Sequence, residues 1–255
     1  MSALELTGIT KSFGGQSVVE GFDLSIEPGR FVSVIGHSGC GKSTVLSIAA
    51  GLLRADKGKV KVNGREAVAA GPERGVVFQA PTLFDWLTAR GNVALAVEAA
   101  FPDATKGARE ALVERNLRRV GLGHALDKRP SELSLGMKQR VSLARAFALD
   151  PKVLLLDEPF GMLDSITRMD LTDVLVDVWS ADAKAALMIT HDVDEAIFLS
   201  DEVVAMTRGP SARIAAVVEI PFERPRDRVA LIADPTYQRV RERLLGLLDS
   251  GPNVH

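Results

Sequence analysis

Gly36-His37-Ser38-Gly39-Cys40-Gly41-Lys42-Ser43-Thr44 fits the pattern G-x-x-x-x-G-K-[ST], and its reading decides the fold. The apolar run Phe31 to Ile35 before it reads as a strand buried on both faces, and Val45 to Leu53 after it as a helix. Strand, glycine-rich turn and helix in that order make a phosphate cradle. Gly36, Gly39 and Gly41 let the backbone turn tightly and aim N–H groups inward. The following helix adds its positive N-terminal end. Lys42 supplies a mobile charge for β- and γ-phosphates, and the Ser43 hydroxyl suits Mg²⁺. A bound nucleoside triphosphate is the implied ligand, with Gly36 to Thr44 as its cradle.

The second decisive stretch is Val153-Leu154-Leu155-Leu156-Asp157-Glu158. Four apolar residues with no polar face belong at a sheet centre, and two carboxylates follow at the strand's C-terminal end. Buried charge without a partner is costly, so the pair calls for a cation or a reacting water unless it merely caps a helix. Asp157 fits a Mg²⁺-associated carboxylate and Glu158 a residue that orients or deprotonates water. Two other strand-like runs end in polar side chains. Gly75 to Phe78 leads to Gln79, which either faces the ligand crevice of an α/β sheet or is a solvated loop residue. Ala185 to Thr190 leads to His191, an isolated histidine of the kind that is more often structural.

Elsewhere, Leu4 to Thr10 and Val18 to Ile26 alternate apolar and polar around Gly14-Gly15, as half-buried antiparallel strands do. Phe13 beside that turn either stacks on a purine or joins the core. Lys57-Gly58 leads into a strand over Lys59 to Val62. The segment Ala89 to Gly121 reads as helix, broken at Pro102 and capped by Thr88, with no strand pattern from Phe84 to Asp150. Phe84, Trp86 and Leu87 are either buried locally or exposed for a partner. Later come a helix over Ser165 to Ala181, a short one over Asp194 to Leu199, strands Val203 to Met206 and Ile214 to Ile220, and a helix Pro235 to Leu248. Gly251 to His255 read as a fraying end.

The 255 residues, 46% hydrophobic and 25% charged, suit a soluble globular protein. A net charge of -2 without a long basic run argues against nucleic acid as a partner. No apolar stretch approaches the ~18 residues that cross a bilayer, and the N-terminus does not resemble a signal peptide. The single cysteine, Cys40, excludes an internal disulfide and suits a reducing cytosol. In the phosphate loop its role is to be small.

Leu133-Ser134-Leu135-Gly136-Met137-Lys138-Gln139-Arg140 resembles the signature of ATP-binding-cassette (ABC) ATPases, which usually begins L-S-G-G-Q. Phosphate loop, strand-end glutamine, signature, acidic strand and strand-end histidine follow in that family's order from about Leu4 to Met206. The resemblance implies an α/β fold: a P-loop NTPase (RecA-like) core with an antiparallel β subdomain and an inserted α-helical subdomain. Its expected division is 1–80 and 151–220 for the core with the β subdomain, 81–150 for the helical signature subdomain, and 221–255 for a C-terminal helical tail.

The resemblance also assigns roles. Phe13 looks like the adenine-stacking aromatic, Gln79 a metal- and partner-sensing glutamine, Glu158 the catalytic carboxylate, and His191 the γ-phosphate switch. Lys42 joins the last two in catalysis, and Ser43, Gln79 and Asp157 are the implied Mg²⁺ contacts. Ser134 and Gly136 at a helix start make an anion site of hydroxyl, N–H groups and dipole. In a head-to-tail dimer, Ser134, Leu135 and Gly136, with Asp164 of the Gly161-Met162-Leu163-Asp164 loop, would close ATP bound to the opposite subunit. Leu135 departs from the usual glycine and Met137 from the usual glutamine, so an altered closure step is expected.

Phe84-Asp85-Trp86-Leu87-Thr88, Glu158 to Asp164 and Gly209-Pro210 look like the nitrate, sulfonate and taurine importer branch. That implies separate transmembrane permease subunits, a periplasmic or lipid-anchored solute-binding protein, and a peripheral place on the cytoplasmic face of the membrane. A soluble non-transport ABC ATPase would be expected to carry a coiled-coil insertion, tandem cassettes or a basic face. A binding-only regulatory cassette would be expected to lack Lys42 or Glu158.

Overall fold

The structure, a computed structural model, describes residues 2–249; the expectation for Gly251 to His255 lies outside them. The chain forms two compact units: residues up to Ala69 together with those from Ala185 onward, and Ala70–Lys184.

The first unit opens with β1 (Leu4–Phe13) and β2 (Gln16–Ile26), antiparallel with Leu4 opposite Ile26 and Leu6 opposite Leu24. β3 (Phe31–Ile35) leads through the glycine-rich turn to α1 (Lys42–Ala49). β4 (Lys57–Val62) and the two-residue β5 (Arg65–Glu66) complete a four-stranded antiparallel sheet in the order β2-β1-β4-β5. Alternation explains it. Leu4, Leu6 and Ile9 of β1 are buried with Leu24 and Ile26 of β2 and Val60 and Val62 of β4, while the residues between them are wetter. Residues expected as a turn, Lys57 and Gly58, already belong to β4.

The second unit holds β6 (Arg74–Val77), α2 (Ala89–Ala100), α3 (Lys106–Arg119), α4 (Leu135–Ala148), β7 (Val153–Asp157) and α5 (Ser165–Asp182). β6 and β7 run parallel, Val77 opposite Leu156. The helices between them bury Val93, Val97, Val113, Leu117, Val141 and Leu143. Thr88 caps α2 by accepting from Gly91 N–H at 3.1 Å, and Thr105 caps α3 after the break at Pro102.

The chain returns to the first unit with β8 (Ala185–Ile189), α6 (Val193–Leu199), β9 (Glu202–Met206), β10 (Ile214–Glu219), α7 (Arg228–Ala233) and α8 (Pro235–Asp249). Here the strand order is β10-β9-β3-β8, with β3 parallel to both β8 and β9. Every residue of β3 and β8 is buried, as in strands whose two faces are both covered. Arg226 holds the C-terminal end of α6: its guanidinium donates to the carbonyls of Ile197, Phe198 and Ser200 at 3.0, 2.9 and 2.7 Å.

One further local expectation fails, and one element was not foreseen. The helix after the glycine-rich turn begins at Lys42 rather than Val45 and stops at Ala49 rather than Leu53, because the loop glycines themselves complete the turn into the helix. α7 has only six residues, too few for its periodicity to stand out.

Candidate functional site

In the first unit, the buried β3 delivers the chain to Gly36 and the glycine-rich turn coils back into α1. Gly39 and Gly41 have φ of +78° and +99°, conformations that an L side chain rarely adopts. A Cβ on Gly41 would lie 2.6 Å from Val19 Cγ2, so the loop presses against β2 at a point where only hydrogen fits. Gly41 is also the N-cap of α1 and offers no side-chain acceptor to the N–H groups of the helix's first turn. A helix start whose cap residue supplies no side-chain acceptor, beside two left-handed glycines, has the form of a cradle for an anion.

Lys42 is 6% exposed, and its Nζ donates to Gly36 O at 2.8 Å and His37 O at 3.0 Å. Two of the three ammonium donors are thus used to hold the side chain folded over the loop. Cys40 is 1% exposed, and burial pushes its thiol above the ordinary range, against the opposing charge of Lys42. A Cβ on Gly36 would lie 2.7 Å from Cys40 Sγ, so the two are packed as small residues must be. His37 Nε2–H donates to Leu248 O at 2.7 Å, tying the loop to the end of α8. Ser43 is exposed beside Lys42 and Thr44 is half-buried.

Phe13 is 50% exposed at the end of β1, which removes the core reading. Lys11 Nζ lies 5.4 Å from its ring centroid and pairs with Asp56 at 2.7 Å. His191 is exposed in the turn between β8 and α6. That turn is firmly built: Thr190 Oγ1–H donates to Glu195 Oε2 at 2.8 Å, and Asp192 Oδ1 accepts from Asp194 and Glu195 N–H at 2.9 and 3.1 Å.

In the second unit, β6 and β7 lie side by side and bring Gln79 and Glu158 together, with Gln79 Nε2–H donating to Glu158 Oε2 at 3.2 Å. Val153 to Leu156 are fully buried, while Asp157 and Glu158 emerge half-buried. Glu158 has φ +43°, a left-handed conformation that costs a residue with a Cβ ~1–2 kcal/mol. Such strain persists where the surrounding structure imposes it, and here it turns the carboxylate toward Gln79. A Cβ on Gly161 would lie 3.3 Å from Gln79 Nε2 and 3.5 Å from Glu158 Oε2, so the loop after β7 passes close over the pair.

The signature also meets the first turn of α5, which Asp164 caps. Ser134 caps α4 by accepting from Met137 N–H at 3.2 Å, and Leu135 begins the helix 37% exposed. Gly136 is buried, and a Cβ there would lie 2.5 Å from Thr167 Cγ2. Asp164 caps α5 by accepting from Ile166 and Thr167 N–H at 3.1 and 3.0 Å and from the Thr167 hydroxyl at 2.6 Å. The Thr167 hydroxyl, then these N–H groups, hold the Asp164 carboxyl below the usual carboxylate range.

One organising residue went unnoticed in the sequence. Gln139 of α4 is 1% exposed, and its Nε2 donates to Phe78 O and Pro159 O, both at 2.9 Å. It therefore ties α4 to the chain beyond both β6 and β7. The available signal was a polar residue on a helix face otherwise apolar, which periodicity alone marks only as an exception. Nearby, Phe84 and Trp86 are 39% and 70% exposed, and their rings lie 5.1 Å apart. The fully buried Asn92 holds this loop through Phe84 N–H at 2.8 Å and Thr88 O at 3.0 Å. Arg145 donates to Thr82 O at 2.6 Å. The aromatic pair is thus presented on a pinned loop.

Residues 19–161 match the family described as "ABC transporter". The chain is 48% identical to the nitrate import ATP-binding protein NrtD of Synechococcus elongatus over 92% of its own length and 86% of that protein's. It is 47% identical to the bicarbonate transport ATP-binding protein CmpC of the same species over 96% of its length, but spans only 38% of that longer relative. Among solved structures, the ATP-binding cassette MJ0796, a dimer in a post-hydrolysis state bound to ADP and Pi, aligns with TM-score 0.75 and 28% identity, covering 86% of this chain and all of that one. The fold is accordingly that of a P-loop NTPase cassette.

Proposed function

This chain belongs to the ABC transporter family, and from that premise we propose that it is the ATP-binding, ATP-hydrolysing subunit that powers a membrane importer for nitrate or a similar small solute. The observation that carries the reading is the phosphate loop: left-handed glycines, an uncapped helix start and a buried Lys42 whose ammonium is bound, among the described residues, by two carbonyls. That set of groups fits a polyphosphate. The solute is taken from the relatives named for nitrate and bicarbonate; within this family the solute does not touch the ATPase subunit.

The division of labour follows from the side chains. The loop N–H groups and Lys42 hold the β- and γ-phosphates and offset their charge as the terminal phosphate departs. Glu158, turned by its strained backbone and hydrogen-bonded to Gln79, orients the attacking water and accepts its proton. His191 contacts the γ-phosphate, and Phe13 stacks on adenine. The hard oxygen donors Ser43, Gln79 and Asp157 suit Mg²⁺, which when bound neutralises phosphate charge. Ser134, Leu135, Gly136 and Asp164 face the nucleotide of a second copy in a head-to-tail dimer. Functionally, residues 1–80 and 151–220 form the nucleotide-binding core with its β subdomain, 81–150 the signature subdomain and 221–255 a helical tail.

Among the described residues no helix is long and apolar enough to cross a membrane; the importer reading assigns the passage to separate permease subunits. The exposed Phe84 and Trp86 are the surface on which a permease would rest at the cytoplasmic face, with a solute-binding protein completing the complex. Glu158→Gln tests the reading. It should retain ATP, accumulate as a dimer by light scattering, and lose on the order of 10²–10³ in turnover. A variant that stayed monomeric with ATP and hydrolysed it normally would remove Glu158 from this role.

A further inference from the structure

The hairpin between β9 and β10 is bound to the start of β2. Ser211 N–H donates to Ser17 O at 2.9 Å, Ala212 N–H to Val18 O at 3.0 Å, and Glu20 N–H to Ala212 O at 3.0 Å. The same hairpin lies on the phosphate loop, since a Cβ on Gly209 would sit 3.7 Å from Gly39 O and 3.9 Å from the Cys40 Cα. β2, the hairpin and the phosphate loop together line a cavity of about 600 Å³, with Ser17 and Arg208 on its wall beside His37, Ser38 and Gly39. A volume of that size accommodates a small ligand.

Two polar atoms of this wall are buried without a hydrogen-bond partner among the described residues: Arg208 Nε and Ser17 Oγ. Arg208 forms no ion pair with the described carboxylates either; the neighbouring hairpin arginine, Arg213, takes Glu20 at 2.9 Å. A guanidinium N–H removed from water with no acceptor is a costly arrangement, and a small turn of the side chain toward an anion in the cavity would relieve it. The facing wall is the anion cradle itself, so the two walls attract charge of the same sign. Arginine also suits such a wall, because it stays protonated and its planar fork matches phosphate oxygens.

We propose that Arg208 is a phosphate-binding residue of the nucleotide site, its guanidinium pairing with a non-bridging oxygen of the polyphosphate held on the phosphate loop, with the Ser17 hydroxyl as a second contact to the same ligand. The assignment rests on the reading of this chain as ATP-binding. It makes the β9–β10 hairpin a wall of the nucleotide site.

The test titrates the full chain with ATP, tripolyphosphate and adenosine by calorimetry. Arg208→Ala should weaken ATP and tripolyphosphate alike, by about tenfold or more, as loss of a charge-assisted contact does, and leave adenosine unchanged. Arg208→Lys should recover part of the loss and Ser17→Ala should weaken ATP by a smaller factor. Urea midpoints without nucleotide check that each variant is folded, and Arg208→Gln replaces Arg208→Ala if the latter is not. Wild-type tripolyphosphate affinity in the folded variants, or a loss confined to adenosine, overturns the proposal. Failure of the unmodified chain to bind ATP would instead overturn the ATP-binding reading on which it rests.

Discussion

Two glycines of one loop are expected to respond differently to the same added methyl group. Gly39 and Gly41 both have positive φ, +78° and +99°, so alanine at either position pays the left-handed penalty of ~1–2 kcal/mol. At Gly39 nothing lies within 4 Å of the new Cβ, and the penalty ends there. At Gly41 the Cβ would meet Val19 Cγ2 at 2.6 Å and Val18 Cγ1 at 3.0 Å. Val19 is fully buried and cannot swing away, so overpacking adds ~1–3 kcal/mol. Gly41→Ala should therefore lose roughly 2–5 kcal/mol against ~1–2 kcal/mol for Gly39→Ala, a large share of the ~5–15 kcal/mol that holds a domain folded. Urea unfolding without nucleotide, followed by circular dichroism, measures both. Shortening the obstructing side chain supplies the internal check. In a Val19→Ala, Gly41→Ala double-mutant cycle the two changes should couple favourably by ~1–3 kcal/mol. Equal losses at the two glycines, or an additive cycle, would refute the inference that contact with β2 constrains this loop.

Three further outcomes are expected, one in the signature and two at Cys40. Leu135→Gly restores the residue usual at this point of the signature; it removes a side chain 37% exposed at the first position of α4, costs up to ~1 kcal/mol in helix propensity, and should alter ATP-driven dimerisation or turnover. Identical kinetics in both forms would show the departure to be silent. Cys40, whose thiol burial pushes upward, should react with iodoacetamide at pH 8 at least ~10-fold more slowly in the folded chain than in urea. Because the folded thiol keeps its proton to higher pH than the unfolded one, stability should also decline as pH rises past the ordinary thiol pKa of ~8.5. Fast labelling of the native chain, or stability flat through that range, would contradict the buried thiol.

Much of this was readable in one dimension because the signals are local. Phe31 to Ile35, Val153 to Leu156 and Ala185 to Ile189 are apolar runs without a polar face, and all became fully buried strands. Thr88 and Ser134 were legible as helix caps because a cap is an interaction over three residues. α7 and β5 were not legible, since six and two residues carry too little periodicity. The alternatives left open for Phe13 and for Phe84, Trp86 and Leu87 concerned burial, which depends on what the rest of the chain covers; the three aromatics are exposed and Leu87 is half-buried.

The amino-acid order alone determined that a strand, a glycine turn bearing Lys42 and a helix would form a phosphate loop, and that Asp157 and Glu158 would follow a buried strand. Those are properties of short contiguous segments, set by side-chain period and backbone freedom. Only the tertiary structure decided what each of the loop's glycines is for, because the clearance at Gly41 is fixed by Val18 and Val19 of another strand. It likewise decided that Glu158 meets Gln79, and that Arg208 Nε, without a partner among the described residues, stands beside the loop. Those pairs are separated by 79 residues in the first case and by most of the chain in the second. The phosphate loop was legible first because it carries its own geometry; the groups that surround it acquire meaning only from the contacts that folding creates.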